Sequence, residues 1–258
     1  MIHAKDIAEQ LIAAERDHRA IAPFTDRHPD LDLDTAYRAQ EVFVASKLAA
    51  GERLVGAKLG LTSRAKQREM NVDQPLHGRV TSSMLIPYGE PVKLARFFQP
   101  RVEPEIAFLI GRDVPAPATV TSVLAATEAV FAAIDVLDSR YEGYRFRLPD
   151  VVADNASAGA FLLGSTARRP ADLVDLRLLG CVLRVGGEVI ATAAGAATMG
   201  HPAAAVAWLA NSLAERDEVL RAGQLVFSGG LTAVAPLRPG VPVTAEFDGL
   251  GSIEVVGR

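Results

Sequence analysis

Two glutamates two residues apart, in Arg101-Val102-Glu103-Pro104-Glu105, are the chain's first suggestion of chemistry. Residues two apart on an extended chain point the same way, so Glu103 and Glu105 would present paired carboxylates. The apolar run that follows, Ile106-Ala107-Phe108-Leu109-Ile110, carries the segment toward an interior. Two close carboxylates in a poorly solvated site need a cation. An all-oxygen donor set selects Mg2+, Mn2+ or Ca2+ over zinc. Pro104 keeps a second reading open, a solvated sheet edge, where proline is tolerated.

Four further places carry candidate groups. Asp135, in Ile134-Asp135-Val136-Leu137-Asp138-Ser139-Arg140, is an acid among apolar neighbours and needs a partner. It is either a third metal ligand or the ion-pair partner of Arg140, and spacing alone favours the pair. Lys58, in Gly56-Ala57-Lys58-Leu59-Gly60-Leu61-Thr62-Ser63, sits between small and apolar residues. That context suits a buried catalytic or anion-holding ammonium, or a lysine snorkelling from a turn. Asp154-Asn155-Ala156-Ser157 offers amide and hydroxyl donors for a carboxylate, or ordinary turn chemistry. Ser228-Gly229-Gly230-Leu231-Thr232 could aim backbone N–H groups at an anion, or simply turn a hairpin. His77 and His201 lack companions at ligand spacing and read as solvated or hydrogen-bonded histidines.

The elements that must position these groups are strand-rich. Ile7, Leu11 and Ala14 recur at helical spacing. Asp34 is placed to cap a second helix bearing Tyr37, Val44 and Leu48, which stops at Gly51. Residues 1–51 therefore read as an N-terminal helical subdomain and 52–258 as a β-rich catalytic domain. Cys181–Val185, Gly186-Gly187 and Glu188–Ile190 form a hairpin with a two-glycine turn. Short strands fill the C-terminus at 241–244, 246–247 and 252–256. One helix is expected over about 121–133, with Phe131 in the core. Another starts at Pro202, with Val206, Trp208, Leu209 and Leu213 packed inward. Strands and helices do not alternate evenly, which argues for α+β over a doubly wound parallel sheet.

Composition narrows the function. The 258 residues carry a net charge of −4, which gives no electrostatic case for nucleic acid or an anionic membrane. The one cysteine, Cys181, fits a reducing cytoplasm. The charge-free stretch 189–214 is broken by Gly195, Gly200 and Pro202, so it reads as strand, loop and soluble helix rather than a span. Met1-Ile2-His3-Ala4-Lys5-Asp6 has no apolar signal core. No dinucleotide, Walker or His-Glu-x-x-His motif occurs.

Taken in order, Gly56–Ser63, Arg101–Glu105, Asp138-Ser139-Arg140-Tyr141, Ala153–Ser157, Gly200-His201-Pro202 and Gly249-Leu250-Gly251-Ser252 resemble the hydratase/decarboxylase branch of the fumarylacetoacetate hydrolase superfamily. The resemblance implies a mixed β-roll that binds Mg2+ or Mn2+ through three acids. By position these are Glu103, Glu105 and Asp135, the last an aspartate where the branch usually has glutamate. It implies Lys58 and Arg140 for catalysis, and Leu61, Leu76, Asn155, Ser157 and Thr232 around a small 2-oxo acid. The related hydratases carry a proton-moving aspartate in a Pro-Asp-aromatic-Gly segment. Here that segment is Gln74-Pro75-Leu76-His77-Gly78, and Leu76 moves no proton. With Ser139 and Tyr141, this points to metal-dependent decarboxylation of 2-oxo-3-hexenedioate to 2-hydroxy-2,4-pentadienoate. Hydration of 2-hydroxypentadienoate is the alternative. An acylpyruvate hydrolase would need a water-activating His-Glu pair that does not stand out. A quiet subunit supporting a hydratase is the non-enzymatic reading, kept open by Asp135. The resemblance also implies a homo-oligomer and a complex with a hydratase.

Overall fold

The computed structural model describes residues 2–70 and 72–258. In chain order its main elements are α1 (Ala4–Asp17), α2 (Leu33–Ala49), β1 (Leu54–Gly60), α3 (Arg64–Glu69), β2 (Leu76–Thr81), β3 (Leu85–Ile86), β4 (Arg101–Ile110), α4 (Val120–Ala126), β5 (Thr127–Leu137), α5 (Leu148–Ala153), β6 (Ala158–Leu163), β7 (Gly180–Val185), β8 (Glu188–Ala194), α6 (Pro202–Ala214), β9 (Leu225–Phe227), β10 (Ala235–Pro236), β11 (Pro242–Phe247) and β12 (Gly251–Val256). The larger sheet runs β2-β1-β9-β4-β5-β6-β3, with β10 beside the start of β4, and it curls into a half-barrel. The smaller sheet runs β12-β11-β7-β8. The architecture is the expected α+β roll.

Period-two alternation sorts the strands onto two faces. On the convex side Ala57, Val102, Ile106, Phe108, Ile134, Val136, Leu162 and Val226 join one core with α4, α6 and the smaller sheet. On the concave side Val80, Ala107, Ala133, Phe161, Leu225 and Phe227 form an apolar floor. Above that floor the same alternation places Arg101, Glu103 and Glu105 of β4. Opposite them, in register, stand Leu137, Asp135 and Ala133 of β5.

Helices α1 and α2 pack on each other, and α2 packs on α5 and β2. Ile7, Leu11, Ala36, Ala39 and Phe43 pack with Leu76, Tyr141 and Val151–Ala153, so the helical N-terminal segment shares its core with the site-bearing part of the chain.

Several expectations need correction. The cap of α2 is Asp32, whose side chain accepts from Thr35 N at 2.7 Å; Asp34 falls in the first turn and pairs with Arg38. The helix expected over 121–133 ends at Ala126, because pairing with β4 draws residues from Thr127 onward, Phe131 and Asp135 included, into β5. Pro104 is not at a sheet edge. Its carbonyl faces away from β5 and accepts from Leu231 N at 3.0 Å, and its missing N–H faces the same gap between β9 and β10. The Gly186-Gly187 hairpin and the helix beginning at Pro202 stand as read.

Candidate active site

Carboxylate oxygens of Glu103, Glu105 and Asp135 lie within 4.8 Å of one another, and all three side chains are buried. Glu103 and Asp135 are direct cross-strand neighbours, and Glu105 is the next concave-facing residue of β4. Glu105 Oε2 accepts from Gly229 N at 2.7 Å. The glycine turn thus does offer a backbone N–H to an anion, and the anion is the protein's own carboxylate. At Gly230 a Cβ would lie 2.0 Å from Glu103 Oε2, so only glycine leaves that carboxylate its space.

Two lysines partly balance these acids. Lys58 of β1, 1% exposed, brings its ammonium to 2.6 Å from Asp135 Oδ2, as an ion pair rather than an aligned hydrogen bond. Lys66, from α3, reaches Glu103 Oε2 at 2.5 Å. Burial disfavours the Lys66 charge, but Glu103, with Glu105 and Asp135, outweighs it and holds the ammonium above its ordinary pKa. Burial, then the charges of Asp135 and Glu103, push Glu105 well above the usual carboxylate range. Burial pushes Asp135 up to about 6 against the pull of Lys58.

Among the described residues Glu105 Oε1 and Asp135 Oδ1 have no hydrogen-bond partner, and Asp135 Oδ2 has only the ion pair with Lys58. Buried, unsatisfied carboxylate oxygens are costly, and a hard dication satisfies them. The donor set, all oxygen and all anionic, fits Mg2+ or Mn2+.

Glu103, with Lys58, lines a cavity of about 690 Å3 whose walls also include Leu61, Lys66, Leu76, Ser157 and Thr232. Of the residues expected around a substrate, Leu61, Leu76, Ser157 and Thr232 are therefore brought together. Asn155 is not. Its amide clamps the backbone of Arg79 in both directions, at 2.7 and 2.9 Å, and so positions β2. Arg140 is also removed from the cavity walls. Its guanidinium is tied to Asp154, to the Asp154 carbonyl at 3.0 Å and over the Phe43 ring, so it is a fold-holding pair and not the partner of Asp135. His201 caps α6 by accepting from Ala203 N at 3.0 Å. His77 is buried, and among the described residues both its ring nitrogens are unpartnered, contrary to a solvated or hydrogen-bonded reading.

No spacing rule points to Lys66, which enters from a separate helix. Arg101 and Tyr144, also on the cavity wall, pack with the guanidinium 3.8 Å from the ring centre. The alternation that singles out Glu103 and Glu105 also puts Arg101 on their face.

A half-barrel with three buried acids, placed so that they could hold a metal ion, and apposed lysines on its concave face is the arrangement of the fumarylacetoacetate hydrolase fold. The chain belongs to that family: residues 52–256 match the fumarylacetoacetate (FAA) hydrolase C-terminal model. It is 42% identical over 248 residues to a 4-oxalocrotonate decarboxylase of Pseudomonas sp. (strain CF600), covering 96% of this chain and 94% of that protein. It is 38% identical over 250 residues to a 2-keto-4-pentenoate hydratase of Paraburkholderia xenovorans (strain LB400), covering 96% and 93%. The 4-oxalocrotonate decarboxylase structure from Pseudomonas putida G7, complexed with magnesium and adipate, superposes with a TM-score of 0.95 at 37% identity, over 99% of this chain and 97% of that one. Among the described residues no helix is long and apolar enough to cross a membrane.

Proposed function

We propose that the chain removes CO2 from 2-oxo-3-hexenedioate to give 2-hydroxy-2,4-pentadienoate, with Glu103, Glu105 and Asp135 holding Mg2+ or Mn2+. The observation that carries this choice is Leu76. Where the resemblance places a hydratase's proton-moving aspartate, the cavity has an apolar side chain, 2% exposed, on the strand that pairs with the one bearing Lys58. A decarboxylase needs no acid there.

The bond that breaks joins the distal carboxylate to its neighbouring carbon, and its electron pair passes into the conjugated 2-oxo system. The bound dication supplies Lewis acidity toward the 2-oxo group. Lys58, fixed at Asp135, donates a hydrogen bond to anionic substrate oxygen and can deliver the one proton that the enol product requires. Leu61 and Leu76 keep water from the cavity wall, and the hydroxyls of Ser157 and Thr232 supply polar contacts. A cytoplasmic location, self-association and pairing with a hydratase accompany this reading through the resemblance alone.

The hydratase reading retains one specific support, the 38% identity to a protein of that name. Supplying the Mg2+-loaded protein with 2-oxo-3-hexenedioate or with 2-hydroxypentadienoate, and following CO2 and hydration product, separates the two. CO2 release is expected to stop with thorough chelation and with Glu105→Gln. Undiminished turnover after chelation, with metal content checked, overturns the proposal.

A further inference from the structure

The proposed substrate has a second carboxylate, which needs a partner away from the acid cluster. Lys58 and Lys66 are each matched to an acid of the cluster. Arg101 differs from both: it is half-buried on the cavity wall and has no carboxylate partner among the described residues. A guanidinium stays charged at any relevant pH and presents a fork that matches a carboxylate.

Arg101 is also held in place. It stacks on the Tyr144 ring at 3.8 Å, which fixes the plane of the fork while leaving its N–H edge free of that contact. Among the described residues the Tyr144 hydroxyl is itself a buried polar atom with no hydrogen-bond partner, on the same wall. Tyr144 follows Gly143 and has φ +59°, a left-handed conformation uncommon for an aromatic residue. Such local strain collects at ligand-holding positions. Arg101 lies two residues before Glu103 on the same strand face, so its Cα is roughly 7 Å from that of the metal-site acid. That offset suits a short diacid lying along the strand, with its 2-oxo end at the acids.

Given the decarboxylase reading, on which this rests, we propose that Arg101 and Tyr144 form the subsite for the distal carboxylate of the substrate. The guanidinium pairs with one or both oxygens, and the phenol donates to the same group. The subsite makes the protein selective for diacids over monoacids of equal length. It acts on binding. The carboxylate it holds becomes neutral CO2, so contacts to that charge favour the bound substrate over the transition state.

The test uses adipate and hexanoate as probes of the Mg2+-loaded protein, read by calorimetry. Wild type is expected to bind adipate at least tenfold more tightly than hexanoate. In Arg101→Leu that preference collapses through a roughly ten- to hundredfold loss for adipate, while hexanoate binding holds and reports an intact site. Arg101→Lys, which keeps the charge but loses the fork and the stack, falls between, and Tyr144→Phe loses a smaller part. Arg64→Leu, which alters the other arginine lining the cavity, keeps the preference. Retained adipate preference in Arg101→Leu and Arg101→Lys, or its loss in Arg64→Leu instead, overturns the subsite. Wild-type protein that prefers adipate yet releases no CO2 from 2-oxo-3-hexenedioate leaves the subsite standing and removes the decarboxylase reading.

Discussion

Lys58 and Asp135 meet at 2.6 Å with side chains 1% and 0% exposed, although their strands, β1 and β5, are separated by two others in the sheet. Only the curl of the half-barrel brings them together. The pair therefore reports closure of the roll and charge balance in the site at once. Three acids, two ammonium groups and one dication leave a small net positive charge, suited to an anionic ligand.

Lys58→Met leaves Asp135 buried beside two further carboxylates without its ammonium. Removing one partner of a buried pair costs roughly 3–5 kcal/mol. Metal-free protein is expected to lose stability on that scale, and Mg2+ to restore more stability to the variant than it adds to wild type, because the dication replaces the missing charge. Denaturant unfolding in EDTA and in Mg2+ measures both. Equal gains from Mg2+ in the two proteins would separate the ion pair from the metal site.

Gly230→Ala tests the cradle. The added methyl would sit 2.0 Å from Glu103 Oε2 and 2.7 Å from Oε1, so the carboxylate must move. Moving it disturbs the ion pair that Lys66 makes with the same Oε2 at 2.5 Å. Mg2+ affinity is expected to fall tenfold or more, about 1.4 kcal/mol, with a smaller change in metal-free stability. Wild-type Mg2+ binding by calorimetry would show that Glu103 is not a ligand.

The legible parts of this site were those encoded locally. Glu103 and Glu105 share a face because strand alternation is a property of neighbouring residues, and Arg101 belongs to the same series. Asp135 could be seen as a buried acid but not placed, since its register against Glu103 depends on pairing two strands. The Ala-rich run before it has no period that separates helix from buried strand, so the helix expected over 121–133 overruns α4. Lys66 and Tyr144 reach the cavity from segments with no sequence relation to the acids. Of the residues named by family position, Leu61, Leu76, Ser157 and Thr232 line the cavity, whereas Arg140 pairs with Asp154 and Asn155 with the backbone of Arg79, contacts that depend on tertiary packing.

Arg140 is predicted to matter for stability. Its partner Asp154 is fully buried, and burial raises that carboxyl to about 6 despite the pull of Arg140. Arg140→Met leaves this acid without its cation, at a cost of roughly 3–5 kcal/mol. Adding Asp154→Asn is expected to recover part of that loss, so the double variant is more stable than the sum of the single effects predicts. Strict additivity in thermal unfolding would mean that the two residues do not act as a pair.

His77 sets an acid limit on the fold. It stacks on Tyr37 with ring centres 4.6 Å apart, and both of its ring nitrogens lack partners among the described residues. Burial, with the nearby charges of Arg79 and Arg216, lowers its pKa to about 3. The unfolded chain takes up the proton near pH 6.5. A depressed folded pKa means that the contribution is complete above about pH 6.5 and is lost as pH falls toward 3, at up to about 1.4 kcal/mol per pH unit. Between pH 7 and 5 the wild type should therefore lose about 2 kcal/mol more stability than His77→Phe, which cannot titrate. The comparison is of slopes, so any constant packing change from the larger ring cancels. Parallel stability–pH curves for the two proteins would show that His77 is protonated in the fold at mildly acidic pH, and that its ring has a partner in solution.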